Sequence, residues 1–135
     1  MLYFAYGANL CRTHMALWCP ESKPVAGAVL RDYRLVFRFW ADIMPADGHE
    51  VPGGVYEVSP RDRVSLDEYE DCPALYERQK VVVTTPSGPT EAFTYRMRAG
   101  YNFAPPSEDY WHLVRKGYED WGLNANLLPA RAVEV

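Results

Sequence analysis

Apolar and polar residues along this chain switch between a strand-like and a helix-like period, and the switches mark the predicted elements. Tyr3-Phe4-Ala5-Tyr6 is a short apolar run closed by Gly7, which predicts a buried strand ending in a turn that uses the conformational freedom of glycine. Asn9 is a candidate helix N-cap, and residues 10–17 predict one or two helical turns stopped by Cys19-Pro20. Residues 25–30 and 33–39, rich in β-branched and aromatic side chains, predict two strands parted by Arg31-Asp32. Residues 41–52, with Met44-Pro45 and Asp47-Gly48, predict a surface loop, and residues 53–58 a further strand.

Ser59-Pro60-Arg61-Asp62 opens a second helix, with a hydroxyl cap, proline at the first helical position and an acid three residues after the cap. That helix is expected to run to about Glu70 or Asp71, ahead of Pro73. Residues 79–85 and 90–97 predict a hairpin turned by Pro86-Ser87-Gly88-Pro89, in which Phe93, Tyr95 and Met97 alternate with Ala92, Thr94 and Arg96. Ser107 caps a last helix through about Trp121, with Tyr110, Leu113, Val114, Tyr118 and Trp121 on one stripe. A final short strand is expected at residues 131–135. Strands interleaved irregularly with about three helices predict an α+β domain around a mostly antiparallel or mixed sheet, one domain over residues 1–135.

Composition narrows the function. An apolar fraction of 48% with 14% aromatics fits a folded globular chain. A net charge of −4 without a basic stripe argues against nucleic acid as partner. No apolar run approaches the ~20 residues that span a bilayer, and no basic segment precedes the first strand. Cys11, Cys19 and Cys72 show no Cys-x-x-Cys spacing, and His14, His49 and His112 no metal-ligand spacing. Reduced thiols in the cytoplasm are expected. Cys11, near a helix start, is the one thiol positioned for activation, but no partner histidine accompanies it and a buried cysteine is favoured.

Two stretches carry chemistry. A strand that breaks at Gly7-Ala8 and enters a helix leaves backbone N–H groups unpaired, a cradle for a carboxylate or an oxyanion. Asp67, Glu68, Glu70 and Asp71 crowd the end of the second helix. Asp67, Glu68 and Asp71 read as a solvated acidic face. Glu70 shares an arc with Leu66 and Tyr69 at ~100° per residue, so it sits next to the core-facing side. Desolvation and the helix C-terminal dipole would both raise its pKa, as a proton carrier near neutral pH requires. A metal site is the rival for such acids, but no oxygen-ligand loop spacing is present.

Tyr3-Phe4-Ala5-Tyr6-Gly7-Ala8-Asn9-Leu10 resembles the Tyr-Gly-Ser-Asn-Leu signature that opens the gamma-glutamylcyclotransferase family, with Ala8 in place of Ser. Leu66-Asp67-Glu68-Tyr69-Glu70 is similar to the family's Leu-Asp-x-x-Glu segment. Tyr76, Thr94-Tyr95-Arg96-Met97, Pro105-Pro106-Ser107-x-x-Tyr110, Gly117 and Gly122-Leu123 continue the likeness in order. The resemblance implies a small curled, barrel-like sheet flanked by helices. It implies Glu70 as catalytic acid/base, and substrate contacts from Tyr3, Phe4, Ala5, Tyr6, Gly7, Ala8, Asn9, Tyr76 and Tyr110. Tyr118 and Asn124 depart from the family pattern, and both are expected near the mouth where a leaving group is recognised.

The implied reaction is an intramolecular acyl transfer. The free α-amine of a γ-glutamyl group attacks its own γ-carbonyl, releasing an amine and 5-oxoproline. It calls for no nucleophile, cofactor or metal, and Gly-x-Ser-x-Gly is absent. The leaving group stays open between an amino acid, a lysine ε-amine and an amine on a biosynthetic intermediate. A non-catalytic small-molecule or partner-binding module on the same fold is the alternative. Glu70 speaks against it, since a binding pocket gains nothing from a partly buried proton carrier.

Overall fold

The computed structural model describes residues 1–128, and the strand expected at 131–135 falls outside them. Five strands close into a barrel: β1 (Leu2–Ala5), β2 (Lys23–Arg38), β3 (Trp40–Glu57), β4 (Tyr76–Thr85) and β5 (Gly88–Met97). Their order around the barrel is β1-β3-β2-β4-β5. All neighbours are antiparallel except β1 and β5, which pair in parallel at Tyr3 and Phe93. Helices α1 (Arg12–Trp18), α2 (Pro60–Tyr69) and α3 (Glu108–Asp120) flank it. The α+β class and the barrel-like sheet expected from the family resemblance are both present.

Several boundaries differ from expectation for identifiable reasons. Residues 41–52 are not a surface loop. They are the first part of β3, paired with β2 from Arg38↔Trp40 through Val29↔Pro52. The turn residues Asp47-Gly48 belong to a bulge of β3, in which residues 46–49 stand opposite the single residue Asp32 of β2; Asp32 has φ +65, and its carboxylate Oδ1 accepts from Gly48 N–H at 3.0 Å. Asp32 therefore bends β2 instead of ending it, and the two strands expected there are one. Proline is tolerated at Pro45 and Pro52 because long, bulged strands leave ladder positions without a donor requirement.

At the first turn, Ala8–Leu10 forms a 3₁₀ turn before α1. Asn9 is inside this turn and caps nothing, while Gly7 and Cys11 occupy the capping positions of the turn and of α1. Gly7 has φ −119, so its glycine requirement is one of space. A Cβ there would stand 3.1 Å from Ala41 Cβ and 3.3 Å from Tyr110 Oη. At Gly117 on α3, a Cβ would collide with Leu10 Cβ, so glycine lets α3 press directly on the 3₁₀ turn.

Helix α2 carries the expected capping box. Ser59 Oγ accepts from Asp62 N–H at 3.0 Å, and Asp62 Oδ2 accepts from Ser59 N–H at 3.4 Å. The helix ends at Tyr69, with Glu70 as its C-cap residue and Asp71 left-handed at φ +51. Ser107 caps α3 through Tyr110 N–H at 3.2 Å, and Val114, Gly117 and Tyr118 are buried against the barrel.

Candidate active site

One open end of the barrel holds a cavity of about 210 Å³ where β1, the 3₁₀ turn, the α2 C-terminus and α3 converge. Tyr3, Tyr6, Gly7, Ala8, Asn9, Glu70, Tyr76 and Tyr110 all line it. The chain thus brings together, from four separate segments, eight of the ten residues singled out in the sequence. Phe4 and Ala5 do not face the cavity; both are fully buried in the barrel core, where strand alternation turns Phe4 away from it. The lining residues not foreseen are Trp40, Ala41, Tyr69, Leu75 and Tyr95. Tyr69 shares the arc of Glu70 and Tyr95 the inward alternation of β5, so both carried a signal. Trp40 and Ala41 carried none, because Ala41 opened the segment read as a loop and Trp40 fell between it and the preceding strand.

The 3₁₀ turn is held from behind. Tyr56 Oη donates to Asn9 O at 2.8 Å and Trp121 Nε1 to Leu10 O at 2.8 Å, while Gly7 O and Ala8 O accept from Leu10 and Cys11 N–H. With its carbonyls occupied on the far side, the turn offers its first N–H groups, which have no partner within a helical turn.

Four tyrosines have defined hydrogen-bond polarity. Tyr6 donates its hydroxyl proton to Tyr95 O at 2.7 Å, and Tyr76 donates to Ala41 O at 2.5 Å. With those protons committed, the Tyr6 and Tyr76 oxygens can only accept from a bound molecule. Tyr110 is the reverse. Its oxygen accepts from Ala41 N–H at 3.1 Å, and its own proton has no acceptor among the described residues. Tyr3 Oη accepts from Asn9 Nδ2 at 3.1 Å. Burial raises the pKa of Tyr3, Tyr6, Tyr76 and Tyr110 well above the ordinary phenol range, so all four are neutral at physiological pH.

Among the described residues lining the cavity, Glu70 is the one carboxyl, and no Lys, Arg or His accompanies it. Burial pushes its carboxyl up to about 8, because protein surrounds it on every side but the cavity. Asn9 Nδ2 donates to its Oε1 at 3.4 Å, and Asn9 Oδ1 is buried without a partner among the described residues. Desolvation alone accounts for the shift, so the helix dipole is not needed to explain it.

Two other expectations are corrected here. Asp67 is not a solvated acid: it accepts from Tyr95 Oη at 2.6 Å and pairs with Arg78 Nε at 3.3 Å, buttressing the cavity wall from outside. Tyr118 and Asn124 do not flank the mouth. Tyr118 is fully buried in the core, and Asn124 caps a 3₁₀ turn at Ala125–Leu127. Among the described residues no three His, Cys, Asp or Glu side chains converge as metal ligands, and no helix is long and apolar enough to cross a membrane. Cys11 and Cys19 are buried free thiols, and burial raises Cys19 to about 12.

Fold and cavity together describe a barrel enzyme with a single acid set among neutral hydroxyls. Over residues 3–121 the chain matches the family described as gamma-glutamyl cyclotransferase, AIG2-like, and it belongs to that family. It is 31% identical to a gamma-glutamylcyclotransferase of Homo sapiens, across 90% of this chain and 72% of the relative. A shorter stretch, 38% of this chain and 32% of the relative, is 44% identical to a gamma-glutamylaminecyclotransferase of Bos taurus. A solved gamma-glutamyl cyclotransferase structure superposes with a TM-score of 0.87 at 30% identity, covering 99% of this chain and 88% of that one.

Proposed function

We propose that this chain cyclises γ-glutamyl amines or amides to 5-oxoproline with release of the amine, and that Glu70 carries the proton. The observation that carries this reading is the pairing of one burial-raised carboxyl with a cavity whose other polar groups are neutral. The substrate's α-ammonium needs acceptors, and Glu70, Tyr6 and Tyr76 present them. Its α-carboxylate and the developing γ-oxyanion need donors, for which the Tyr110 hydroxyl and the N–H groups of the Gly7–Asn9 turn are available. Glu70 takes a proton from the α-ammonium. The freed amine adds to the γ-carbonyl, forming the ring C–N bond and leaving two protons on the ring nitrogen. Glu70 gives its proton to the departing nitrogen as the old γ-C–N bond breaks, then takes the second proton from the ring nitrogen and passes it to the released amine, which leaves as an ammonium. Each proton and electron pair is accounted for within substrate and Glu70. The same reading makes the enzyme metal-independent and, with its three unpaired thiols, cytoplasmic.

The test is 5-oxoproline release from a panel of γ-glutamyl amines, beside two controls. N-acetyl γ-glutamyl substrates should be inert because the nucleophilic lone pair is lost. β-Aspartyl analogues should be inert because a four-membered ring would have to close. Release of free amine from an N-acetyl substrate would mean hydrolysis by water and would sink the reading. Binding of free γ-glutamyl amines without turnover would favour the non-catalytic module instead.

A further inference from the structure

The floor and the mouth of the cavity differ in kind. The deep residues Tyr3, Tyr6, Tyr76 and Tyr95 are buried and carry hydroxyls committed within the protein. Among the lining residues that are not buried, the apolar or aromatic ones are Trp40, Tyr69 and Leu75, beside Gly7, Glu70 and Tyr110. Trp40 is 39% exposed although it is a large aromatic ring, and Tyr69 and Leu75 are half-buried.

These rings are fixed before any ligand arrives. Trp40 meets Tyr110 edge to face at 4.9 Å and 76°, and Phe39 at 4.9 Å and 85°. The tip that presents Trp40 is strained: Phe39 has φ +69, which a bulky side chain adopts only when its surroundings compel it. A Phe39 N–H bond to Ala104 O at 2.9 Å holds it in that conformation. Tyr69 is held by His14 Nε2 at 2.9 Å from its hydroxyl and by the Trp18 ring at 4.8 Å.

Charge points the same way. No lysine or arginine is among the described residues lining the cavity, and burial lowers the pKa of His14 behind Tyr69, leaving it neutral at neutral pH. A leaving group that is an amino acid would bring its carboxylate beside Trp40, Tyr69 and Leu75, with no lysine or arginine among the described lining residues to meet it. An amine with no second charge would meet rings only.

Resting on the cyclotransferase reading, we propose that this cavity selects uncharged, apolar leaving amines, arylalkyl amines above small alkyl amines, over amino acids, with Trp40 as the selecting surface. The γ-glutamyl half is held by the floor and is common to all substrates, so the mouth alone sets the preference.

Two matched substrate pairs isolate the two terms: γ-glutamyl-phenethylamide against γ-glutamyl-phenylalanine, and γ-glutamyl-ethylamide against γ-glutamyl-alanine. Each pair differs by one carboxylate. In kcat/KM for 5-oxoproline release, the carboxylate-free member should lead by about tenfold or more in both pairs. Phenethylamide should lead ethylamide by about three- to tenfold, the range of one aromatic contact. Trp40→Ala, with Trp40→Leu as a second variant that keeps apolar bulk, should bring those two amides within about twofold of each other. Leu75→Lys, which adds a cation at the mouth, should shrink the penalty on the two amino-acid substrates. Equal or better turnover of the carboxylate-bearing members by the wild-type enzyme overturns the proposal while leaving the cyclotransferase reading intact, as does an aromatic lead that survives both Trp40 variants. No 5-oxoproline from any of the four sinks both.

Discussion

Replacing Glu70 by Gln keeps the shape of the side chain and removes its ability to carry a proton, so one variant tests chemistry and electrostatics together. The carboxyl titrates at about 8 in the fold against an ordinary value of 4.5. Between those values the native state holds a proton that the unfolded chain has released. The stability due to the neutral carboxyl is therefore complete below pH 4.5 and is lost as pH rises through about 8. The 3.5-unit gap, at about 1.4 kcal/mol per unit, sets a loss of at most about 5 kcal/mol, and water reaching the carboxylate through the mouth reduces it to roughly 2–4 kcal/mol. Gln has no such loss. Thermal unfolding should show wild type and Glu70→Gln nearly equal at pH 4, with the variant gaining about 7–14 °C by pH 9, at roughly 3.5 °C per kcal/mol. Over the same range the wild-type kcat/KM for 5-oxoproline release should rise as Glu70 deprotonates, with its inflection near pH 8. The kcat inflection should lie lower, because the bound ammonium favours the carboxylate. Glu70→Gln should lose about two to four orders of magnitude in rate and show no such inflection. Near wild-type turnover by Glu70→Gln, or a difference in Tm that does not change with pH, would refute the assignment of Glu70 as the buried proton carrier.

Tyr110→Phe removes the donor aimed at substrate and strands the Ala41 N–H that now bonds it at 3.1 Å, so stability should fall by about 1–3 kcal/mol and kcat/KM by at least tenfold. Gly7→Val should abolish binding of the product 5-oxoproline, since even its Cβ would press on Ala41 and Tyr110; calorimetric titration together with Tm separates a filled cavity from a lost fold. Asp67→Asn should lower kcat/KM and Tm through the Tyr95 hydroxyl and Arg78 it engages, whereas Glu68→Gln, exposed on the same helix, should leave both unchanged; equal effects would return Asp67 to the solvated face.

The parts of this protein legible in its sequence are those whose cause is local. Capping by Ser59 and Ser107, the β4–β5 hairpin and the arc that turns Glu70 inward all follow from spacing within one element. What was not legible depends on a partner far along the chain. Residues 41–52 look like a loop because Pro45, Asp47 and Gly48 are turn formers, yet they form a bulge in β3 that Asp32 of β2 anchors through Gly48 N–H. Asn9 looks like a cap because its side chain suits one, yet its amide turns to Tyr3 and Glu70, 6 and 61 residues away along the chain. Asp67 looks solvated because its neighbours in sequence are acidic, and only the fold brings Tyr95 and Arg78 to it.

That dependence on distant partners also explains how a cavity lined by six tyrosines can tell one end of a substrate from the other. A free phenol donates or accepts equally and would impose no orientation. Here the backbone has removed that freedom. Ala41 uses its carbonyl to consume the Tyr76 proton and its N–H to occupy Tyr110 oxygen, so one residue makes its two neighbours opposite in polarity. Ala41 can do so only because it is held in β3 next to Phe37 on β2, with both backbone groups fixed in the ladder's frame. The strand that reads as a loop is thus the element that sets the polarity of the site. A carboxylate could fill the same acceptor role as Tyr6 or Tyr76, but a second negative charge would raise Glu70 still further and hold it protonated when it must act as a base. Neutral acceptors of fixed direction orient an ammonium while leaving Glu70 free to exchange its proton.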